Sequence, residues 1–194
     1  RLFGTDGIRG IANSYLTCEL ALKVGRAAGS VLSDGSRRRL LFCVGSDTRI
    51  SSDMLSFSIA SGLCSVGVDV IILGVVPTPA VAYLVGKYKA DAGIMISASH
   101  NPAEYNGIKI FSGDGYKIPD ALEEQIESIV LDDEAEQALS GTDIGKVTYA
   151  TNAIKDYVDH LKSTVMNSLE GLNIAVDCAN GSASVSADKL FAAL

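Results

Sequence analysis

Residues 92–111 read AGIMISASHNPAEYNGIKIF, and this stretch decides the fold and locates the chemistry. It opens on an unbroken apolar run at 92–96, which is typical of a strand that is buried on both faces of a sheet. Two serines, a histidine and an Asn-Pro pair follow, and a second strand-like run starts at 107. A turn needs only Gly, Asn and Pro for its geometry, so the backbone does not require the serines, His100 and Lys109. The stretch therefore predicts a loop with reactive groups at the exposed end of a buried strand.

Similar apolar runs lie upstream, at 40–44 and 68–73, and helical patterns separate them. These patterns predict three amphipathic helices: 17–31, 51–66 and 77–88. Alternation of buried strands with helices indicates βαβ units in which helices cover both faces of a parallel sheet. The short connection before 107–111 favours a hairpin, and hence an antiparallel neighbour for the strand at 92–96. The predicted fold class is α/β, a three-layer α/β/α sandwich with a mostly parallel, mixed sheet.

The second half of the sequence predicts a boundary between two domains. Asp120 and Glu123 form a capping-box pattern for a fourth helix, which closes a first domain at 1–140. The apolar period is then lost, and we place a linker at 141–150. Three elements follow and predict the start of a second, similar α/β domain at 151–194: a helix at 154–165, a buried strand at 172–177 and a helix from 183. These cannot close a core, so we expect the second domain to be incomplete and the chain to be truncated.

Composition and charge exclude several classes of function. The formal net charge is −7, whereas nucleic acids and anionic membranes bind clustered Lys and Arg. The basic cluster at 37–39 lies between a helix pattern and a strand pattern, which favours a solvated turn. No apolar stretch reaches the roughly 18 residues of a membrane span, the first residues lack a signal peptide's apolar segment, and the cysteines form no CxxC pair. We expect a cytoplasmic protein that binds neither nucleic acid nor a membrane.

The reactive groups of the loop have candidate roles that follow from their chemistry. From the residues alone, Ser97 and Ser99 are equally good candidates for a nucleophile. His100 and Lys109 are candidates for proton transfer and charge compensation. Lys109 alternates with apolar neighbours and should point to the opposite face of its strand. A serine hydrolase would instead need a G-x-S-x-G elbow, followed by a histidine and an acid, and the serines here lie in ISASHNP.

The loop resembles the phosphoserine loop of the α-D-phosphohexomutases. Three further stretches agree with that superfamily: FGTDGIRG at 3–10, GSDTR at 45–49 and DCANG at 177–181. Within the superfamily, the sequences of these motifs are most similar to those of the members that act on glucosamine phosphates. The resemblance covers essentially the whole chain.

The resemblance implies a phosphosugar mutase that interconverts glucosamine 6-phosphate and glucosamine 1-phosphate. By motif position, Ser99 carries the phosphoryl group, donates it to the sugar to give a bisphosphate, and takes back the other phosphate. Arg9 matches the position at which the family places an arginine beside the phosphoserine, so the implied catalytic set is Ser99, His100, Lys109 and Arg9. The implied phosphate- and substrate-binding residues are Arg9, Ser97, Asn101 and Lys109. We expect Asp47 and Arg49 to form an internal ion pair that supports the loops.

The chain lacks three of the family's loops. These are the Asp-rich metal loop, the sugar-recognition loop and the C-terminal phosphate-binding loop. The resemblance implies Mg²⁺ held by three Asp of the first of these and by a phosphoserine oxygen, so Ser99 would supply one metal ligand. We therefore expect this chain alone to bind Mg²⁺ poorly and to be inactive. Two alternatives stay open, a phosphomannomutase or phosphoglucomutase of the same mechanism and a non-catalytic α/β module that binds phosphate; the oligomeric state is open as well.

Overall fold

The computed structural model describes residues 2–33, 38–132 and 138–194. Residues 1, 34–37 and 133–137, which include Arg37 of the basic cluster, lie outside the described residues. The strands are β1 (Phe3–Gly4), β2 (Gly7–Ile11), β3 (Leu41–Ser46), β4 (Asp69–Val75), β5 (Ala92–Ile96), β6 (Tyr105–Ser112) and β7 (Val147–Tyr149). The helices are α1 (Cys18–Val31), α2 (Ser52–Ser65), α3 (Thr78–Lys87), α4 (Asp120–Leu131), α5 (Ala153–Thr164) and α6 (Ala187–Phe191).

The strands form one sheet in the order β1-β2-β6-β5-β3-β4-β7. Strands β5, β3, β4 and β7 run parallel, whereas β6 is antiparallel to both β5 and β2. This confirms the predicted mixed sheet and the predicted hairpin between β5 and β6. The hairpin places residues 97–104, hereafter the serine loop, at the end of β5.

Helices cover both faces of the sheet. Along β5, Ile94 and Ile96 pack with α1, α2 and α4, while Met95 packs on the opposite face with α3 and α5. All three side chains are buried, because a central parallel strand has a helix layer on each side. The predicted α/β/α sandwich is thus confirmed. No helix in the described parts of the chain has the length and apolar character that a membrane span requires.

Two glycines bring α1 and α2 into close contact. A Cβ atom on Gly25 would lie 2.5 Å from the carbonyl oxygen of Ile59, and one on Gly62 would collide with the carbonyl oxygen of Leu22. The two helix backbones can approach this closely only because neither position has a side chain.

Gly62→Ala is expected to destabilise the protein despite the higher helix propensity of alanine. The methyl group must push α1 and α2 apart, and overpacking of this kind costs about 1–3 kcal/mol. Gly86→Ala in α3 is the matched control, because a Cβ atom added at Gly86 would have no other atom within 4 Å. Alanine there should be neutral or stabilising by up to ~1 kcal/mol. Urea unfolding of both variants checks this, and equal stability of Gly62→Ala and the unmodified protein would contradict the packing argument.

The predicted capping box is wrong. Pro119, not Asp120, occupies the N-cap of α4, and no side chain caps the helix. Glu123 is 2% exposed, and its Oε2 accepts a 2.8 Å hydrogen bond from Lys117 Nζ instead. The ammonium group is a stronger partner for a buried carboxylate than a main-chain N–H.

The predicted linker at 141–150 is not a free connection. Within it, β7 adds a parallel edge strand to β4, and Val70 N donates to Lys146 O at 2.9 Å. The side chains of β7 are all exposed, so the strand has no apolar pattern to reveal it. Beyond it, Ala153 and Tyr157 of α5 are buried against α3. The division into domains at 140 and 151 stays a prediction.

The predicted buried strand at 172–177 is also wrong for the described chain. Its apolar side chains are exposed, Leu172 to 63%, Ile174 to 47% and Val176 to 50%. Within the described residues this segment pairs with no other strand. An apolar run becomes a buried strand only where neighbours cover it.

Candidate active site

The serine loop lies at the carboxyl ends of β5 and β3, the edge of a parallel sheet at which ligands commonly bind. Asp47 follows β3, and its N–H donates to the carbonyl oxygen of Ile96 at 3.0 Å. A Cβ on Gly107 would lie 2.6 Å from the carbonyl oxygen of Ser97. This glycine therefore allows the loop to lie directly on β6.

Ser99 is exposed in the loop and has an unusual backbone conformation. Its φ is +57°, in the left-handed region that non-glycine residues seldom occupy. Its N–H donates to Ser97 Oγ at 3.0 Å, and its own Oγ lies 3.4 Å from His100 Nδ1. The main chain of Ser99 is thus held by hydrogen bonds while its hydroxyl remains accessible to a ligand.

Asp47 is the buried anchor beneath the loop. The residue is 7% exposed and accepts four hydrogen bonds. Oδ2 accepts from Ser97 Oγ at 2.7 Å and from Arg49 Nε at 2.9 Å. Oδ1 accepts from Ser52 Oγ at 2.8 Å and from Arg49 N at 3.1 Å. The predicted ion pair between Asp47 and Arg49 is confirmed.

Arg49 binds the main chain of the serine loop, a contact that the sequence does not reveal. Its two terminal nitrogens donate to four carbonyl oxygens: those of Ser99 (2.9 Å), Asn101 (2.8 Å), Pro102 (2.6 Å) and Tyr105 (2.9 Å). Together with Nε, these bonds occupy every donor of the guanidinium group. Arg49 therefore shapes the loop and has no donor left for a ligand.

Arg9 approaches the serine loop from β2. Its Nη1 donates to Asn101 Oδ1 at 3.2 Å, and its Nη2 donates to Asp6 Oδ2 at 3.3 Å. Its Nε is buried and has no hydrogen-bond partner in the described part of the chain. Asn101 thus holds one edge of the guanidinium group beside the loop, while the buried Nε finds no partner among the described residues.

Lys109 lies on β6 with its side chain directed away from its buried neighbours Ile108 and Ile110, which confirms the predicted alternation. Its Nζ donates to Asp6 Oδ1 at 3.1 Å. This hydrogen bond is the main reason why the pKa of Asp6 is lowered. Asp6 therefore links Lys109 to Arg9, and within the described residues neither cation is hydrogen bonded to Ser99.

The serine loop forms one wall of an open cleft of about 950 Å³. Ser97, Ser99, His100 and Asn101 lie along this wall. The opposite wall is residues 178–183, the DCANG turn and its continuation, and Thr48 Oγ1 donates to the carbonyl oxygen of Asn180 at 2.8 Å. The residues of this segment do not show that it faces the loop, so its place in the cleft was not predicted from the sequence.

Comparison with known proteins identifies the family. Residues 1–137 match the family model described as phosphoglucomutase/phosphomannomutase, alpha/beta/alpha domain I. The chain belongs to the phosphoglucomutase/phosphomannomutase family. This finding confirms the resemblance that the four sequence motifs carry.

Relatives within the phosphoglucomutase/phosphomannomutase family are longer than this chain. The phosphoglucosamine mutase of Clostridium beijerinckii is 52% identical over 192 residues, which are 98% of this chain and 43% of the relative. That of Acetivibrio thermocellus is 55% identical over 182 residues, which are 93% of this chain and 40% of the relative. The chain therefore spans about two fifths of the length of these curated relatives.

Solved structures agree with the family assignment. A phosphoglucomutase/phosphomannomutase family protein from Burkholderia thailandensis has a TM-score of 0.82 at 28% identity, over 100% of this chain and 42% of that one. A putative phosphomannomutase from Thermus thermophilus has a TM-score of 0.71 at 31% identity, over 84% and 36% of the two chains.

The described residues do not complete a magnesium site of the kind that the family implies. Among residues 2–33, 38–132 and 138–194, no group of three or more His, Cys, Asp or Glu side chains could hold a metal ion. Asp47 already accepts four hydrogen bonds, and Asp6 is paired with Arg9 and Lys109. Mg²⁺ takes six oxygen ligands, and a phosphoryl oxygen on Ser99 would supply only one of them.

Proposed function

We propose that the complete protein is a phosphosugar mutase that interconverts glucosamine 6-phosphate and glucosamine 1-phosphate. The observation that carries the proposal is the geometry of Ser99, whose main chain is bonded on both sides while its hydroxyl is exposed to the cleft. Two relatives named phosphoglucosamine mutase, at 52% and 55% identity, support the amino-sugar substrate.

The reaction then consists of two phosphoryl transfers that balance. Phosphorylated Ser99 passes its phosphoryl group to the free sugar hydroxyl: the Ser99 O–P bond breaks, a sugar O–P bond forms, the sugar hydroxyl proton leaves to a base, and the freed Ser99 oxygen takes up a proton. The bisphosphate then returns its other phosphoryl group to the Ser99 oxygen, which gives up its proton, and the freed sugar oxygen takes up a proton. The net change moves the phosphate between C6 and C1 of the same sugar.

The neighbouring side chains have distinct roles in this proposal. Arg9 and Lys109 neutralise charge on the phosphoryl oxygens, since phosphoryl transfer depends on positioning and electrostatic stabilisation. Asn101 orients Arg9, and His100, 3.4 Å from Ser99 Oγ, is placed for proton transfer. The proposal includes Mg²⁺ in the complete protein, where it would supply further positive charge and take one ligand from the phosphoryl group on Ser99.

The cellular compartment and the ligand of the protein are part of the same proposal. All four cysteines are free thiols, which fits a reducing compartment, and a hexosamine or hexose phosphate is the only partner proposed. We therefore propose a cytoplasmic enzyme. A phosphomannomutase or phosphoglucomutase is the second candidate, because the matched family model and the relative from Thermus thermophilus carry those names.

A competition assay with the complete protein tests the function and the substrate together. We expect conversion of glucosamine 6-phosphate at a kcat/KM at least about tenfold above that for mannose or glucose 6-phosphate, a ratio worth about 1.4 kcal/mol. A preference for mannose or glucose would select the second candidate. The absence of turnover with all three sugars would contradict the proposal. The 194-residue chain assayed in the same way should be inactive, because it spans only about two fifths of its relatives.

A further inference from the structure

Asp47, Ser97 and Arg49 form a connected unit beneath Ser99, which we call the Asp47 clamp. Asp47 Oδ2 accepts both Ser97 Oγ–H and Arg49 Nε–H, at 2.7 and 2.9 Å. From this oxygen, one branch runs through Ser97 to the N–H of Ser99, and the other runs through Arg49 to the C=O of Ser99. Both peptide groups that flank the Ser99 side chain are therefore fixed by one buried carboxylate.

The hydrogen-bond inventory of the clamp excludes direct binding of a phosphate by Arg49. Its five guanidinium donors all bond to protein oxygens. The hydroxyl of Ser97 is committed in the same way: its proton goes to Asp47, and it accepts the N–H of Ser99. Arg9 and Lys109 differ: among the described residues Arg9 donates two side-chain hydrogen bonds and Lys109 donates one, so donors of both cations remain for an anion. The clamp is instead directed at the loop backbone.

The backbone of Ser99 needs such support. A non-glycine residue at φ +57° persists only where its surroundings hold it, since the left-handed region costs roughly 1–2 kcal/mol per residue. Reaction rates also respond steeply to position, and a misplacement of ~1 Å can reduce a rate by about 10²-fold.

Resting on the proposed function, we propose that Asp47, Ser97 and Arg49 are positioning residues that set the location of the Ser99 oxygen and do not contact the substrate. Ser97 is then a support for Ser99, which replaces the phosphate-binding role expected from the sequence. The clamp acts on the transfer step, so its loss lowers kcat and leaves the substrate's KM nearly unchanged.

Three substitutions in the complete protein test this proposal. Ser97→Ala is expected to lower kcat by about 10- to 100-fold with KM changed by less than about threefold, and Ser97→Thr, which keeps the hydroxyl, should restore most of the rate. Arg49→Lys should lower kcat by about 100-fold although it keeps the charge, because one ammonium group cannot bond four carbonyl oxygens. A rise in KM of about tenfold at unchanged kcat would overturn the proposal, because it would mean that these side chains bind the substrate.

The matched controls are Ser61→Ala and Arg39→Lys. Ser61 lies on exposed α2 surface and donates to the carbonyl oxygen of Phe57. Arg39 donates to Asp69 and to the carbonyl oxygens of Thr142 and Ile144, so it also binds main chain, but before the amino end of β3 and not at the carboxyl end where the serine loop lies. Both controls should keep the kcat of the unmodified protein; a loss equal to that of the test variants would mean that the effect is general destabilisation, which would also overturn the proposal.

Hydrogen exchange at the Ser99 amide gives a readout that does not depend on turnover. The amide bonds to Ser97 Oγ, so its exchange should accelerate by about tenfold or more in Ser97→Ala and return towards normal in Ser97→Thr. Unchanged exchange would overturn the clamp. If exchange accelerates but the unmodified protein turns over none of the sugar phosphates, the proposed function fails and the clamp stands. If turnover is present and kcat is the same in all variants, the clamp fails and the function stands.

Discussion

Replacing Ser99 with alanine should lower the turnover of the complete protein by roughly 10⁴-fold or more, because removal of a covalent nucleophile costs rates of this order. Ser97 Oγ and Arg49 hold the N–H and the C=O of Ser99, whereas its hydroxyl lies 3.4 Å from His100 Nδ1 at the wall of the cleft. Steady-state kinetics with glucosamine 6-phosphate measure the loss. The fold should be unaffected, since the side chain is exposed and the backbone contacts of the loop remain.

Ser61→Ala is the control for that experiment. It removes a hydroxyl from exposed α2 surface and should leave kcat unchanged. A Ser99→Ala protein that retains more than about a tenth of normal turnover would contradict a covalent role for this oxygen. In that case the alternative nucleophile is Ser97, which the residues alone did not distinguish from Ser99.

Lys109→Met has the second-largest expected effect, a loss of about 10²- to 10³-fold in kcat, typical of removing one electrostatic contact to a transition state. Methionine keeps most of the side-chain volume and removes the charge beside Arg9. Lys155→Met is the control, because Lys155 is an exposed lysine on α5 that is paired with Asp159. Normal kcat in Lys109→Met would contradict a role for Lys109 in neutralising the phosphoryl charge.

The pKa of Asp6 provides an independent readout of the same substitution. Lys109 favours the ionised carboxylate and so holds this pKa below the ordinary value. The ion pair between Asp6 and Lys109 is therefore fully formed at a pH above the ordinary pKa of an aspartate. It is lost as the pH falls through the lowered pKa of Asp6. In Lys109→Met the pKa of Asp6, followed by NMR titration, should rise towards normal; an unchanged pKa would contradict the 3.1 Å contact.

The elements that local pattern determines were predictable from the sequence. Helix α1 begins where Thr17 accepts the N–H of Leu20, and β5 is an apolar run that is buried on both faces. The sequence did not predict β7, because an exposed edge strand forms through main-chain bonds and shows no apolar period. The predicted buried strand at 172–177 is exposed, because burial depends on the segments that pack against an apolar run and not on the run itself.

In the candidate site too, the features that lie close together in sequence were predictable and the long-range contacts were not. The serines, His100 and Asn101 are adjacent in sequence, so their association was visible at once. Arg9 lies 92 positions from Asn101, and only the resemblance brought them together. The ion pair of Arg49 with Asp47 was predicted, but its bonds to the loop carbonyls were not, because carbonyl oxygens carry no residue identity that a sequence could reveal.

The central claim is that Ser99 carries the phosphoryl group, and peptide mass analysis of the complete protein tests it most directly. After incubation with glucosamine 1,6-bisphosphate, the peptide that contains Ser99 should gain about 80 Da, the mass of one phosphoryl group. If the bisphosphate carries isotope-labelled phosphoryl groups, excess unlabelled glucosamine 6-phosphate should replace the label on Ser99 with unlabelled phosphate within a few turnovers, and Ser99→Ala should never acquire label. A labelled phosphate that stays on Ser99 through many turnovers, or that forms on another residue, would contradict the account.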